Sequence, residues 1–480
     1  MLFNSIDFIL FFLLVTVSYY VLPYRFRWVL LLGASCYFYM AFVPIYILIL
    51  AATIVIDYFA GIWLEKSSGK KRKQLLYLSL AANIGVLVIF KYYNFFLDNL
   101  GFLLKGFALS NPLPRLDMLL PIGLSFHTFQ AMSYTIEVYR GNQKAERQFG
   151  IYSLYVMFYP QLVAGPIERP QNLLHQFHTK HYFDYNRVTD GLKLMAWGLF
   201  KKAVIADRLS LMVDTVYSDP ANHYGFAVIL ATIFFAIQIY CDFSGYSDMA
   251  IGAAQVMGFK LMTNFNRPYF AKSISEFWKR WHISLSTWFK DYLYVPLGGN
   301  RVVKWRWYFN LFITFMVSGL WHGANWTFIV WGALHGFYLV FALVSHDYRK
   351  KLNQMTGLSE NPVLHKWLQS LSVFVLVSFA WIFFRATTIH DAFTLIQNAM
   401  VLNTAQLSST MFSANYYEFF LGIFFIILLF SIEWTKRGRE MRKFVNSKPL
   451  WFRFSVYILL VLVIINFGVF GGNNFIYFQF

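Results

Sequence analysis

Long apolar runs, separated by short polar stretches, recur from one end of the 480-residue chain to the other. About 20 apolar residues in a helix cross the hydrocarbon core of a bilayer. The pattern predicts membrane helices at residues 6–22, 28–42, 45–64, 75–96, 118–138, 308–320, 327–343, 368–384, 419–432 and 456–470. Together with the interrupted segments below, it predicts an all-α polytopic membrane protein of about 11 to 13 transmembrane or re-entrant helices.

Two apolar segments are too short or too broken for ordinary crossings. Residues 151–170 end in YPQLVAGPIERP, which indicates a re-entrant or partly buried segment, because irregular backbone at membrane depth must face protein or water. Residues 191–206 are interrupted by Lys201 and Lys202, which predicts an interfacial or tilted helix.

The segment 226–259 is long enough for one crossing and a return. Its centre, QIYCDFSGYSDMAIG, places Asp242 and Asp248 among apolar residues. Carboxylates are costly in this setting unless they are hydrogen-bonded or face a cavity. We interpret both as helix caps across a break at Gly245.

A dense polar segment follows, FNRPYFAKSISEFWKRWHISLSTWFKDYLYVPLGGNR. Within it, four large apolar side chains recur at helical spacing; they are Trp278, Trp281, Leu285 and Trp288. This spacing predicts one amphipathic helix over residues 275–290 that lies in the membrane interface.

Two histidines stand out, His282 in the polar segment and His322 in the following SGLWHGANW. An ionisable side chain at membrane depth is costly and therefore marks a candidate functional site. The glycines around His322 let helices or a substrate approach closely. His335 lies 13 residues further on, and in a continuous helix it would face different surroundings, so we interpret it as a packing residue.

Composition agrees with a membrane protein, since 58% of residues are hydrophobic and only 13% charged, against about 25% charged in soluble domains. The formal charge of +18 would suggest nucleic acid in a soluble protein. Here the basic residues gather in short loops between apolar runs, as the positive-inside rule requires, and no nucleic-acid-binding motif accompanies them. We therefore expect no nucleic-acid partner, although a basic cytosolic face would attract an anionic, phosphate-bearing donor.

Metal and disulfide chemistry are not indicated. Cys36 and Cys241 lie in separate apolar segments without a CxxC or Cys/His cluster. His175, His178 and His181 recur at steps of three, but their polar setting favours a solvated loop over a metal site. We expect no bound metal.

Several enzyme classes are excluded, because the chain has no GxxxxGK[ST], HExxH, GxSxG or GxGxxG motif. A transporter or flippase of acyl groups or glycan precursors is a competing interpretation, since broken helices and polar groups at mid-membrane also occur in transporters. The clustering of unusual residues in one stretch, not in two repeated halves, favours an enzyme.

The polar segment and the following GLWHGANWTFIVWGALHG resemble the membrane-bound O-acyltransferases, and among them the branch of the alginate O-acetyltransferase membrane subunits. The resemblance extends to YPQLVAGPIERP, YCDFSGYSDMAIG and the terminal NFIYFQF. It implies one membrane domain over residues 1–480, a ring of helices around a central funnel or tunnel. We divide it into N-terminal helices (1–150), a catalytic core (151–345) and C-terminal helices (346–480).

The resemblance also implies an activity. Members of this branch move an acetyl group from a cytosolic donor, here expected to be acetyl-CoA, towards an exported polysaccharide such as alginate, without a bound cofactor. An extracytoplasmic acetyltransferase partner and a multi-pass location in the bacterial inner membrane are expected with it. Peptidoglycan or another cell-surface glycan stays open as the acceptor.

The resemblance places the catalytic histidine at His322 and its partner at His282, although His282 could instead be an interfacial histidine among anchoring tryptophans. The chemistry agrees, because hydroxyl attack on a thioester needs a base and imidazole suits this near neutral pH. Further candidates for lining the tunnel or orienting substrates, each of which could instead serve in packing or helix capping, are Trp321, Asn325, Ser318 and Asp291.

Overall fold

The computed structural model describes residues 1–109, 111, 113–116, 121–163, 165–401, 416–436, 445–470 and 475–476. Throughout these residues the regular structure is helical, with no strand. The first α-helices are α1 (Ile6–Val21), α2 (Tyr24–Met40), α3 (Ile47–Lys66), α4 (Gly69–Leu87), α5 (Tyr93–Gly106), α6 (Leu124–Arg140), α7 (Phe149–Met157), α8 (Tyr159–Leu162), α9 (Pro170–Phe177), α10 (Tyr185–Leu199) and α11 (Asp207–Ser218).

The remaining α-helices are α12 (Phe226–Met257), α13 (Ile274–Trp278), α14 (Ile283–Phe289), α15 (Lys304–His322), α16 (Trp326–Val344), α17 (His346–Met355), α18 (Pro362–Arg385), α19 (Ile389–Ala399), α20 (Tyr416–Lys436) and α21 (Leu450–Phe467). Three π-helical turns connect some of them, Val88–Tyr92, Phe200–Ala206 and Lys290–Tyr294.

Seven helical stretches of the described residues are long and apolar enough to span a membrane. They are Pro44–Lys66, Gly69–Gly106, Phe226–Met257, Trp326–Val344, Pro362–Arg385, Tyr416–Thr435 and Leu450–Phe467. The predicted all-α, multi-pass membrane protein is thereby confirmed. The count of about 11 to 13 crossings and half-crossings, the ring with its funnel and the division into three sections stay predictions; the predicted start of one span at residues 118–120 lies outside the described residues.

The chain forms two compact units, the first built from residues 1–195 and 247–262. Its buried polar centre is the Asp57 carboxylate of α3, which accepts hydrogen bonds from Ser79 Oγ (2.5 Å) and Asn83 Nδ2 (2.8 Å) of α4. Such a network satisfies a carboxylate that would otherwise be costly to bury. The segment predicted as re-entrant, 151–170, is broken and buried as expected, with α7 and α8 followed by extended chain; its depth in the bilayer stays a prediction.

The second unit comprises residues 196–246 and 263–480 and is built around aromatic side chains. Trp381 of α18 lies 5.1 Å from Trp281 and 5.7 Å from Trp331, measured between ring centroids, and all three are fully buried. Aromatic pairs at these separations stabilise beyond their buried area. This aromatic core is the support for the histidines described below.

The prediction that segment 226–259 forms one crossing and a return is wrong, because α12 runs unbroken for 32 residues. Gly245 lies inside the helix, where a Cβ atom would approach the carbonyl oxygen of Gly198 to 2.7 Å. The glycine therefore permits close packing between segments and is not a helix break. Asp242 and Asp248 both lie inside this helix and are accordingly not helix caps. The Asp242 carboxylate forms a buried ion pair with Lys202, with Nζ and Oδ1 2.7 Å apart.

The position of the predicted interfacial or tilted helix at 191–206 relative to the bilayer stays a prediction, but the structure shows that its two lysines are buried. Its end is the π-helical turn Phe200–Ala206, and every residue of that turn is buried, including Lys201 and Lys202. The lysines are accommodated by polar partners: Lys201 Nζ donates to Ser244 Oγ at 2.8 Å. The sequence shows that two lysines are present, but it does not show that they are buried. Their burial depends on Ser244 and Asp242, which are distant along the chain.

Helices α15 and α16 form a tight hairpin that depends on glycine. A Cβ atom at Gly319 would lie 2.2 Å from the carbonyl oxygen of Phe328, and one at Gly332 would lie 2.4 Å from that of Phe315. Small residues facing each other let two helix backbones approach in this way. The predicted close approach around His322 is confirmed, and it fixes the end of α15.

We expect Gly332→Ala to lower stability, because its methyl group would collide with backbone atoms that cannot move independently. Overpacking of this kind costs about 1–3 kcal/mol. Thermal unfolding of the purified protein in detergent measures the loss. Gly33→Ala in α2 is the matched control, since a Cβ atom there meets nothing within 4 Å; equal loss in both variants would contradict the expected collision.

Candidate active site

His322 is the last residue of α15, at the end of the hairpin. The chain leaves the helix through Gly323, where a Cβ atom would lie 2.1 Å from the ring of Phe328. Only glycine leaves room for that ring at this position. The sequence WHG therefore ends the helix and places the imidazole at a fixed point.

Aromatic rings surround the His322 imidazole, which is 4% exposed. Its ring centroid lies 4.9 Å from Trp321, 5.0 Å from Trp331 and 5.4 Å from Phe384, all close to perpendicular. These contacts come from α15, α16 and α18. Packing on several sides restricts the rotamer, which a residue with a chemical role requires.

His282 lies between α13 and α14, so the predicted continuous helix over 275–290 is wrong. The break occurs at His282 itself, whose backbone is left-handed, with φ 43° and ψ 56°. For a residue with a Cβ this conformation is uncommon and costs energy. The predicted apolar stripe is nevertheless buried at all four positions, Trp278, Trp281, Leu285 and Trp288.

The His282 imidazole is fully buried. Its ring centroid lies 4.5 Å from Phe243 and 6.5 Å from Trp321. His282 lies outside the seven spanning stretches, and burial lowers its pKa to about 3, so the ring is neutral at physiological pH. Since Trp321 also contacts His322, the structure brings the two predicted histidines to one indole ring.

Two polar residues beside His282 were not singled out in the sequence. The side-chain oxygen of Asn264 lies 3.2 Å from His282 Nδ1, and it accepts hydrogen bonds from Ser284 at the backbone N–H (3.2 Å) and at Oγ (2.9 Å). All three residues are fully buried. The available signal was two uncharged polar residues, the first asparagine of NFN directly before the polar segment and the serine of WHIS within it.

The other predicted site residues have diverse positions. Ser318 is buried one helical turn before His322. Asn325 caps α16, accepting from the Thr327 backbone N–H at 3.0 Å, and its amide donates to the Thr387 carbonyl at 2.8 Å. Asp291 is half-buried in the turn Lys290–Tyr294. Asn325 thus has a capping role, while contributions of these residues to the chemistry stay predictions.

The interpretation of His335 rested on a continuous helix that does not exist, because α15 ends at His322 and α16 begins at Trp326. His335 is fully buried, and its Nδ1 accepts from Trp278 Nε1 at 3.3 Å. Its ring lies 5.0 Å from Trp331, the same distance as that of His322. The expectation of different surroundings is therefore wrong: both imidazoles contact one indole, and His335 packs within the aromatic core.

A buried ion cluster includes Asp242, the residue before Phe243 in the chain. The ammonium group of Lys202 is 2.7 Å from a carboxylate oxygen of Asp207 and 2.7 Å from one of Asp242. The second oxygen of Asp242 accepts from the backbone N–H of Ile476 at 2.8 Å. Burial raises the pKa of Asp207 to about 7, although the Lys202 ammonium lowers it. The Lys202 ammonium therefore supplies the positive charge that compensates the carboxylates of Asp207 and Asp242.

Fold and site together define an integral membrane protein with a buried, aromatic-lined pair of histidines. The family model described as MBOAT, membrane-bound O-acyltransferase family, matches residues 148–384, a range that includes both histidines and their partners. The chain belongs to the membrane-bound O-acyltransferase family, and it is an acyltransferase.

Individual relatives agree with this assignment. The chain is 39% identical to a probable alginate O-acetylase of Pseudomonas aeruginosa over 85% of this chain and 76% of the relative. It is 36% identical to a peptidoglycan O-acetyltransferase of Helicobacter pylori over 78% of this chain and 74% of the relative. A teichoic acid D-alanyltransferase of Streptococcus thermophilus is 30% identical over 53% of this chain and 65% of the relative.

Proposed function

We propose that this protein transfers acetyl groups from acetyl-CoA at the cytosolic side of a bacterial inner membrane towards an exported polysaccharide such as alginate. The observation that carries the proposal is the placing of His282 and His322 against one buried indole, within the segment that matches the family. The similarity to a probable alginate O-acetylase over most of both chains supports acetyl as the acyl group and alginate as the acceptor.

In the proposed reaction an acceptor hydroxyl attacks the carbonyl carbon of the thioester. Its oxygen forms the new ester bond, its proton passes to the neutral imidazole of His322, and the bond between carbon and sulfur breaks. The proton then passes to the departing thiolate, so that CoA leaves as a free thiol and the histidine is neutral again. A positioned base of this kind contributes about 10²- to 10⁴-fold to the rate.

The acceptor hydroxyl belongs to a group outside the membrane or to an extracytoplasmic acetyltransferase partner that passes the acetyl group to the glycan. Peptidoglycan is the second candidate acceptor, favoured by the similarity to the Helicobacter pylori enzyme. Both acceptors use the same chemistry at the histidines. The two candidates differ only in which polysaccharide finally receives the acetyl group.

The decisive experiment supplies purified protein in nanodiscs with acetyl-CoA labelled in the acetyl group and measures free CoA thiol and labelled product. We expect thiol release that is stimulated by oligomeric alginate together with the extracytoplasmic partner. Peptidoglycan fragments in place of alginate test the second acceptor. A transporter or flippase without chemistry of its own would release no free CoA, and that result would overturn the proposal.

A further inference from the structure

The side-chain oxygen of Asn264 is surrounded by hydrogen-bond donors. Ser284 donates to it from the backbone N–H (3.2 Å) and from Oγ (2.9 Å), and the His282 Nδ1 atom lies at 3.2 Å. The main chain is fixed at the same place, because the Ile283 N–H donates to the Asn264 carbonyl at 2.9 Å. Asn264 is thus held by both its backbone and its side chain.

The hydrogen bonds determine which atom of the amide faces the histidine. A backbone N–H can only donate, so the Asn264 atom that faces the Ser284 N–H must be the oxygen and not the nitrogen of the amide. That oxygen accepts but cannot donate. Ser284 Oγ lies 3.4 Å from His282 Nδ1, but its single hydrogen is used in the shorter bond to the Asn264 oxygen. The His282 Nδ1 atom, which faces the same oxygen, therefore carries a hydrogen.

A neutral imidazole carries a single N–H, and a partner at one ring nitrogen determines the state of the other. With the hydrogen on Nδ1, the Nε2 atom of His282 has its lone pair available as an acceptor. Five uncharged side chains contact the ring; they are Phe243, Phe265, Trp321, Asn264 and Ser284. They provide no charge that would favour the imidazolium.

We infer that Asn264 is a positioning residue for acetyl transfer, because it holds His282 in the Nδ1–H tautomer and makes Nε2 a hydrogen-bond acceptor. The inference rests on the proposed function and refines it. A neutral His282 in this tautomer cannot donate a hydrogen bond from Nε2 to the thioester carbonyl. It can only accept a hydrogen bond at Nε2, while His322 takes the hydroxyl proton and returns it to the thiolate.

Kinetics of Asn264→Ala test the positioning role. Without the acceptor oxygen the tautomer preference is lost, and we expect kcat to fall on the order of tenfold or more while KM for acetyl-CoA stays unchanged. Asn83→Ala is the matched control, because Asn83 is equally buried and bonds to Asp57 in the other unit. It should lower stability while kcat per folded molecule stays near that of the parent.

The Asn264→Asp variant distinguishes a positioning role from a purely structural one, because a structural role would not change the pH dependence of kcat. A carboxylate keeps the acceptor oxygen but stabilises the imidazolium, so it raises the pKa of His282 by about one unit or more. Because the accepting histidine must be neutral, the acidic limb of the kcat profile moves to higher pH. A profile that coincides with that of the parent, or an Asn264→Ala variant with full kcat, would overturn the inference.

The tautomer itself can be measured without any activity. Solid-state NMR of protein labelled with ¹³C and ¹⁵N in histidine, minus the spectrum of His282→Gln, isolates the ring signals of His282. We expect the Nδ1–H form at neutral pH, lost in Asn264→Ala. An Nε2–H form would overturn the inference even if the enzyme is active, whereas an inactive parent with the Nδ1–H form would overturn only the proposed function.

Discussion

Replacing His322 by alanine is expected to reduce acetyl transfer at least about 100-fold, to the limit of detection in most assays. The imidazole is the group proposed to take the hydroxyl proton, and the surrounding side chains, Trp321, Trp331 and Phe384, have no basic group that could replace it. The measurement is CoA thiol release by purified protein, normalised to the amount of folded, membrane-inserted enzyme.

His335→Ala is the matched control for this substitution. His335 is fully buried, and its ring lies 5.0 Å from the same indole, that of Trp331, so it tests the loss of an imidazole from the same aromatic core. We expect a loss of thermal stability but a much smaller loss of activity per folded molecule. Normal transfer by His322→Ala, or equal losses in the two variants, would contradict the assignment of His322 as the base.

Lys202→Met is expected to be the most destabilising single substitution among those considered. Lys202 lies between the carboxylates of Asp207 and Asp242, and all three side chains are buried. Removing one partner of a buried ion pair costs about 3–5 kcal/mol, because the remaining charge is left without compensation. We expect either failure to recover folded protein or a large decrease in the thermal unfolding temperature in detergent.

Lys193→Met serves as its control. The ammonium group of Lys193 is 3.2 Å from the Asp190 carboxylate, but the side chains are 18% and 35% exposed. Pairs of this kind contribute about 0–1 kcal/mol. The two variants have the same substitution and remove the same kind of ion pair, and they differ in how deeply that pair is buried. If both variants unfolded at similar temperatures, the buried cluster would have no special importance for stability.

The sequence was sufficient for the class of fold, and it pointed to two histidines that the structure brings to one indole ring, while their role in the chemistry stays a prediction. Apolar runs of membrane length predict helices directly, and a histidine directly between two such runs, as in SGLWHGANW, is conspicuous because its burial is costly. The stripe from Trp278 to Trp288 also predicted correctly which side chains are buried. These predictions succeed because they depend on residues that are close together along the chain.

The failures share another origin. Gly245 suggested a helix break, yet its role is set by Gly198 and by the approach of another segment. The hydrogen bond from Ser284 to Asn264 joins residues 20 positions apart, and the one from Ile476 to Asp242 joins residues 234 positions apart. Contacts over such separations are decided by tertiary packing, so local periodicity cannot reveal them.

The ending of α15 at His322 has an electrostatic consequence. The peptide dipoles of this 19-residue helix point the same way, and its carboxyl end carries roughly half a negative elementary charge. In the proposed reaction, the positive charge that arises on His322 during proton transfer is thus met by a field already in place, which requires no reorganisation of the surroundings. In a buried site such a field contributes up to about 2 kcal/mol, a rate gain of roughly thirtyfold.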